Sequence, residues 1–266
     1  MSNPSSPAST DMVRGGPPAH SDRDVPPGTP HVVPGQSPGT TSDPLRPYLV
    51  IPAGGRGLRM GGGLPKQFRD WDGRPLLQVT VEAFLAPGMP PLAGIALAVP
   101  ETHLEEACSW SFEVPCTVVP GGATRQESVW LALRTLPHEP LVPVMIHDAV
   151  RPFPPAAPLW EALEALNLFD GVLLGEASTD TLKRVDGQGR VLRTEPREEF
   201  FRAQTPQIAR LGTWLHAFRA AEEDGFVATD DVALLEHLGL AVKLIPSPSS
   251  NLKLTTPEDW QRARRH

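Results

Sequence analysis

Cysteine is nearly missing from this chain: Cys108 and Cys116 are the only two in 266 residues. Two thiols make neither a disulfide framework nor a closed zinc site. They are expected to be reduced, in a cytoplasmic protein. An excess of basic charge is missing too. Lys and Arg number 24 against 31 Asp and Glu, a net charge of −7. That argues against a general nucleic-acid binder, so any positive charge that matters is local. No apolar stretch approaches the roughly 20 residues of a membrane helix. The front of the chain lacks the apolar run of a signal peptide, so neither membrane nor export is expected. There is no GxxxxGK[ST] phosphate loop, and Gly55-x-Gly57-x-x-Met60 fails the dinucleotide pattern GxGxxG at its last position.

What remains suits one medium-sized domain, with 40% hydrophobic and 21% charged residues. Eleven of the 32 prolines precede Tyr48, set among Ser, Gly and Thr. Such a segment buries too little apolar surface to offset the entropy of ordering. Residues 1–46 therefore read as a disordered tail, and 47–266 as the domain.

The domain is organised around YLVIPAGGRGLRMGGGLPKQF, Tyr48 to Phe68. Tyr48 to Ile51 reads as a buried strand, ending at Pro52. Six glycines follow within residues 54–63. Glycine costs conformational entropy on folding, so a run of them serves close approach to a ligand rather than stability. Inward-turned N–H groups of this kind cradle phosphate. Arg56, Arg59 and Lys66 ride on the same stretch, which points to a polyanion. The rival is a flexible surface loop, but linkers seldom follow a buried strand and carry fixed cations.

Strands and helices then alternate. Strands are expected at Gly94–Val99, Thr117–Val119, Pro143–Ile146, Gly171–Leu174 and Ala241–Ile245. Helices are expected from Pro75, over His103–Trp110, Arg125–Leu136 and Ala156–Leu168, over Gln207–Glu223 and Thr229–His237, and from Pro257. Thr229 or Asp230 is placed to cap the helix at 229, with acids in its first turn. The rhythm implies an α/β fold with a mostly parallel sheet covered by helices on both faces. Ligands of such sheets sit at the carboxyl ends of the strands, where the glycine loop, Gly121-Gly122 and Asp148 fall. Residues 177–201 break the rhythm and read as a protruding hairpin.

PAGGRGLRMGGGLPKQF resembles the PAAGxGxRMxxxxPKQF signature of the cytidylyltransferases that act on 2-C-methyl-D-erythritol 4-phosphate, in the non-mevalonate isoprenoid pathway. GGATRQESV, HDAVRPF, DTLKRV, PREEFFRAQTPQ, TDDVALLE and NLKLTTPEDW extend the resemblance, in order, over essentially everything from Tyr48 onward. Gly54 stands where the family usually has a second Ala, removing a methyl from backbone expected to face the base.

Nucleotidyl transfer brings an anionic phosphate nucleophile to the α-phosphorus of an anionic triphosphate, so it needs fixed cations that hold the groups in line. A phosphate monoester is already ionised near neutral pH and needs no general base. The resemblance implies a Rossmann-like nucleotidyltransferase sheet whose hairpin is a dimerisation arm, giving a homodimer with shared active sites. It implies Arg59 and Lys66 as catalytic residues stabilising the α-phosphoryl transition state, with Arg197 and Lys253 clamping the acceptor phosphate. Ala53, Gly54, Gly55, Gly122, Ser128, Asp148 and Ala149 match nucleotide-binding positions, chiefly for cytosine and ribose. Asp148, Arg151, Thr181, Arg197, Thr229 and Lys253 match positions that bind methylerythritol phosphate. Mg²⁺ is expected through CTP phosphates and water, with Asp148 the one possible protein ligand and no carboxylate cage. Ser128 and Arg197 also read as an ordinary helix residue and a salt-bridge partner of Glu198 or Glu199. Arg125, in the same motif, also reads as a purely structural residue, and His147 as structural rather than catalytic. Rival functions are a ribitol 5-phosphate cytidylyltransferase, a hexose-1-phosphate nucleotidyltransferase, and a silent nucleotide-binding module.

Overall fold

The computed structural model describes residues 31–32, 46–55 and 64–264. Most of the stretch read as a tail lies outside them, as do Arg56, Arg59 and the glycines from 57 to 63. Among the described residues a sheet of eight strands forms the centre, in the order β1-β6-β5-β2-β7-β11-β8-β12. These are β1 His31–Val32, β2 Tyr48–Pro52, β5 Gly94–Val99, β6 Cys116–Pro120, β7 Pro143–Ile146, β8 Gly171–Ala177, β11 Phe201–Arg210 and β12 Val242–Pro246. β3 Asp70–Trp71 and β4 Arg74–Pro75 make a small hairpin, turned at Asp72 and Gly73 with φ of 51° and 84°. β9 Leu182–Val185 and β10 Val191–Glu195 make another.

Strands β2, β5, β6 and β7 pair in parallel, as does β12 with β8. β11 runs antiparallel to both β7 and β8, and β1 antiparallel to β6. The sheet is thus mostly parallel. Its central strands are apolar on both faces, as a covered parallel sheet requires. On β2, Leu49 and Ile51 face one core while Val50 faces the other, the two-residue alternation of a strand. The first core takes α1 Leu76–Ala83, α2 Leu104–Cys108 and α4 Ala156–Ala165 through Leu77, Ala107 and Leu159. The second takes α3 Arg125–Leu133, α5 Leu211–Asp224 and α6 Val232–His237 through Val129, Trp214 and Leu235. Trp214 is fully buried and satisfies its indole N–H on the Val144 carbonyl at 3.1 Å. α7 Pro257–Ala263 closes a third, small core with Trp71 and Leu76.

One expected element is corrected. Residues 207–210 do not open a helix; they end strand β11, and α5 starts at Leu211. Residues 204–209 are buried in mid-sheet although Gln204, Thr205 and Gln207 are polar. Side-chain hydrogen bonds to His147, Asn251, Asp230 and Val232 satisfy them there, which hides the strand from hydropathy. The helix expected from Thr229 begins three residues later, at Val232, with no acid in its first turn. Asp230 still accepts from the Ala233 N–H at 3.1 Å. Within the stretch read as a disordered tail, His31–Val32 adds a short strand beside β6.

The hairpin β9–β10 stands apart from the main sheet, where it extends β8 and β11 beyond the pairing of Ala177 with Phe201. Val191 and Leu192 on it are 62% and 61% exposed, a large apolar surface for so small an element.

Candidate active site

The carboxyl ends of β2, β6 and β7 carry the site. After β2, Ala53 donates its N–H to the Ala98 carbonyl at 2.6 Å, and after β6, Gly121 donates to Val99 at 2.7 Å. Both segments cross the end of β5 and meet. A methyl on Gly121 would stand 2.6 Å from the Gly54 Cα, and one on Gly54 would stand 2.8 Å from the Ser128 hydroxyl and 3.0 Å from the Gly121 Cα. The methyl position that Gly54 leaves empty faces Gly121 and Ser128. An added Cβ at either place would force its neighbours to shift.

Thr124 caps α3 by accepting from the Glu127 N–H, and Glu127 accepts in turn from the Ala123 N–H at 2.7 Å. Gly122 has no room for a side chain, since a Cβ there would lie 2.3 Å from the Glu127 side chain. Ser128 is buried; its hydroxyl donates to Thr124 and accepts the Gly122 N–H at 3.1 Å. It thus holds the shape of the second glycine loop. Lys66 opens a single 3₁₀ turn, Lys66–Phe68. Phe68 anchors that turn in the core with its ring 3.9 Å from that of His103. Gln67, unremarked in the sequence, donates to the carbonyls of Ala53 at 2.5 Å and Gly55 at 2.9 Å. It ties the lysine turn to the end of β2.

Beside this glycine edge lies a charged cluster centred on Asp148. One carboxylate oxygen faces the Arg125 Nε at 3.4 Å. The other faces Lys253 at 2.8 Å and the Arg151 Nε at 3.3 Å. Burial alone would raise this carboxyl, but Arg125, Lys253 and Arg151 together outweigh it and hold it well below the usual carboxylate range. Arg125 also grips Asp231 through both terminal nitrogens at 2.7 Å. Ser128 follows Arg125 by three positions on α3, so one helix carries both halves of the site.

Backbone contacts bring Lys253 to this place. Leu254 donates its N–H to Val150 at 2.9 Å, and Arg151 donates to the Asn251 carbonyl at 2.6 Å. Asn251 is fully buried and holds Gln204 and the Thr205 carbonyl, both at 2.8 Å. Thr205 accepts the Asp148 N–H at 3.0 Å and lies 3.1 Å from the His147 Nδ1. His147 bonds the Arg151 carbonyl through Nε2 at 2.9 Å. Burial pushes its imidazole down to about 4. It is a neutral structural group.

The structure thus gathers Ala53, Gly54, Gly55, Gly122 and Ser128 on one side, and Asp148, Ala149, Arg151 and Lys253 on the other. Thr181 and Arg197 lie on the exposed arm region, where Arg197 bonds the Thr179 carbonyl at 3.3 Å and pairs with Glu198 at 3.5 Å. Thr229 is exposed two residues before Asp231. Sequence reasoning missed Asp231, Thr205, Asn251 and Gln67. Each sits inside a quoted motif, and a buried polar residue there was the available signal.

Known proteins resemble this chain over the whole of this domain. The family profile described as 2-C-methyl-D-erythritol 4-phosphate cytidylyltransferase matches residues 48–265. A protein of that name from Symbiobacterium thermophilum is 37% identical over 215 residues, 81% of this chain and 90% of the relative. Another from Salinibacter ruber is 39% identical over 221 residues, again 81% and 90%. The crystal structure of 4-diphosphocytidyl-2C-methyl-D-erythritol synthase from Anaerococcus prevotii superposes with a TM-score of 0.71 at 26% identity. It covers 84% of this chain and 98% of that one. The Thermus thermophilus 2-C-methyl-D-erythritol 4-phosphate cytidylyltransferase gives 0.67 at 29% identity, covering 83% and 98%. With glycine edge and cation cluster in the order of the motifs that carry them, this chain belongs to the 2-C-methyl-D-erythritol 4-phosphate cytidylyltransferase family.

Proposed function

We propose that this protein transfers CMP from CTP to 2-C-methyl-D-erythritol 4-phosphate in isoprenoid precursor biosynthesis. A phosphate oxygen of the acceptor attacks the α-phosphorus, the bond to the β-phosphate oxygen breaks, and pyrophosphate leaves. The observation that carries this reading is Lys253 against Asp148, flanked by Arg125 and Arg151, beside a strand end lined with glycine. Cations and main-chain donors are what the chemistry asks for.

In this reading Ala53, Gly54, Gly55, Gly122 and Ala149 present backbone to the nucleotide, while Ser128 shapes the loop that reads cytosine. Lys66 and Arg59 meet the charge developing on the α-phosphoryl group. Asp148, Arg151, Thr181, Arg197, Thr229 and Lys253 receive the acceptor. Magnesium suits the triphosphate. Asp148 is already faced by three cations, and no group of three potential ligands converges among the described residues. A divalent ion would be held by phosphate oxygens and water, with Asp148 a candidate contact among the described residues, and would neutralise phosphate charge. The exposed apolar arm supports a homodimer in which each arm completes the partner's site. Two unlinked cysteines, one of them buried, suit a reducing cytoplasm.

A substrate panel tests the reading. CTP and UTP are each paired with methylerythritol phosphate and with D-ribitol 5-phosphate, and pyrophosphate release is followed. CTP with methylerythritol phosphate should give the highest kcat/KM. Equal or better turnover of ribitol phosphate would overturn the assigned acceptor. No turnover of any pair would favour a silent nucleotide-binding module.

A further inference from the structure

We infer that Asp231 and Arg125 are positioning residues of this site: through the Arg125 fork, Asp231 fixes the Asp148 carboxylate that holds Lys253. The inference rests on the proposed reading of Lys253 as an acceptor-phosphate cation. Asp231 is 2% exposed and gives both oxygens to Arg125, at 2.7 Å each. That two-pronged grip fixes the guanidinium plane as well as its charge. The third Arg125 nitrogen, Nε, is thereby turned to one Asp148 oxygen at 3.4 Å, and the other oxygen meets Lys253 at 2.8 Å.

The four residues come from four places: the residue before α6, the first turn of α3, the end of β7 and the segment after β12. They join the helix that shapes the nucleotide loop to the segment that delivers the acceptor cation. Stability is a poor reason for such a chain. Desolvating an ion pair offsets most of its attraction, and an apolar pair of equal size would serve the fold as well. Geometry gives a better reason. Three cations against Asp148 alone would repel one another and spread; Asp231 draws Arg125 to one side, so Lys253 and Arg151 share the other oxygen. A lysine at 125 would keep the charge and lose the fork.

The test uses the full chain with CTP and methylerythritol phosphate. D231N and R125K are each expected to keep the wild-type near-UV spectrum and to lose about tenfold in kcat, a coupling of about 1.4 kcal/mol. KM for CTP should stay within about twofold, because the nucleotide loop is intact. The double variant R125K/D231N should be no slower than R125K, since Asp231 acts only through the fork. If the two losses multiply, Asp231 supports α6 instead and the inference fails. Wild-type kcat in either single variant also overturns it, as does a loss that follows the folded fraction. Should a single variant not fold, R125M/D231N removes both charges and leaves neither buried ion unpaired. It must fold with about a tenfold loss of kcat, and wild-type kcat in it defeats the inference. A wild-type protein inactive on methylerythritol phosphate removes the proposed function itself. An active wild type with multiplying losses removes this inference alone.

Discussion

Lys253 holds its ammonium 2.8 Å from the Asp148 carboxylate while leaving 44% of its side chain exposed. The residue is aimed by one oxygen and open on the other side, between buried Leu254 and half-buried Leu252. An incoming phosphate would share this cation with Asp148 and find it already oriented. Lys253→Met should lower kcat by about a hundredfold or more, the scale of a lost transition-state donor. Arg125 and Arg151 remain on Asp148, so the fold should hold. Side-by-side circular dichroism and steady-state kinetics check this, and a folded variant within threefold of wild type would remove Lys253 from the chemistry.

Gly54→Ala would match the signature that this stretch resembles, yet it should harm this chain. The added methyl would stand 2.8 Å from the Ser128 hydroxyl, too close unless that hydroxyl moves, and 3.0 Å from the Gly121 Cα, tighter than most packed contacts. Either the Gly121 loop retreats or the end of β2 does. Overpacking of this kind costs about 1–3 kcal/mol, and the same movement should raise KM for CTP. Thermal melts and a CTP titration decide it. An unchanged Tm with an unchanged KM would show that the two loops separate freely.

Much of the fold was legible because its period is strong. Pro143–Ile146 and Gly94–Val99 appear in the structure with the bounds expected of them, since an unbroken apolar run is what a strand covered on both faces needs. β11 was hidden because four of its six buried residues are Gln204, Thr205, Pro206 and Gln207, which give little hydrophobic signal, and the three polar ones are held by side-chain hydrogen bonds. The same blindness cost the site Asp231 and Asn251. Pattern reading finds an acid at a strand end, such as Asp148. It has no means of seeing that an acid more than eighty residues later in the sequence shares an arginine with it. The direction of the methyl that Gly54 lacks was unreadable for a related reason: it depends on Gly121, which only the folded sheet brings near.

Acid should weaken the fold in a window set by His147. Folded, this imidazole takes its proton only near pH 4, against 6.5 for the ordinary side chain, because it is fully buried. Between those values the unfolded chain binds the extra proton. Stability is therefore complete above about pH 6.5 and is lost as pH falls toward 4, by about 3 kcal/mol in all. Asp148 acts in the same direction, but only below its ordinary value of 3.8. His147→Gln should melt lower at pH 7, because packing against Phe84 is lost. Its Tm should then change less than that of wild type between pH 7 and pH 4.5. Parallel curves for the two proteins would assign the acid sensitivity elsewhere.

The proposed sharing of sites between subunits can be tested by mixing two inactive proteins. Arg197 and Thr181 sit on the exposed arm region, while Lys66 is anchored at the sheet edge through Phe68 in the core. In a two-fold dimer whatever one arm does for the partner, the partner's arm does in return. Lys66→Ala and Arg197→Ala should each give a nearly dead homodimer. Co-expressed or refolded together, half the dimers are mixed. One site of a mixed dimer takes an intact Lys66 from one chain and an intact Arg197 from the other, and the second site collects both lesions. One good site in every four restores roughly a quarter of wild-type activity. If both residues serve their own chain's site, every site keeps a lesion and mixing restores nothing. Sedimentation of the mixture, with one partner fluorescently labelled, confirms that subunits exchanged, so a null result with exchange shown would exclude a shared site.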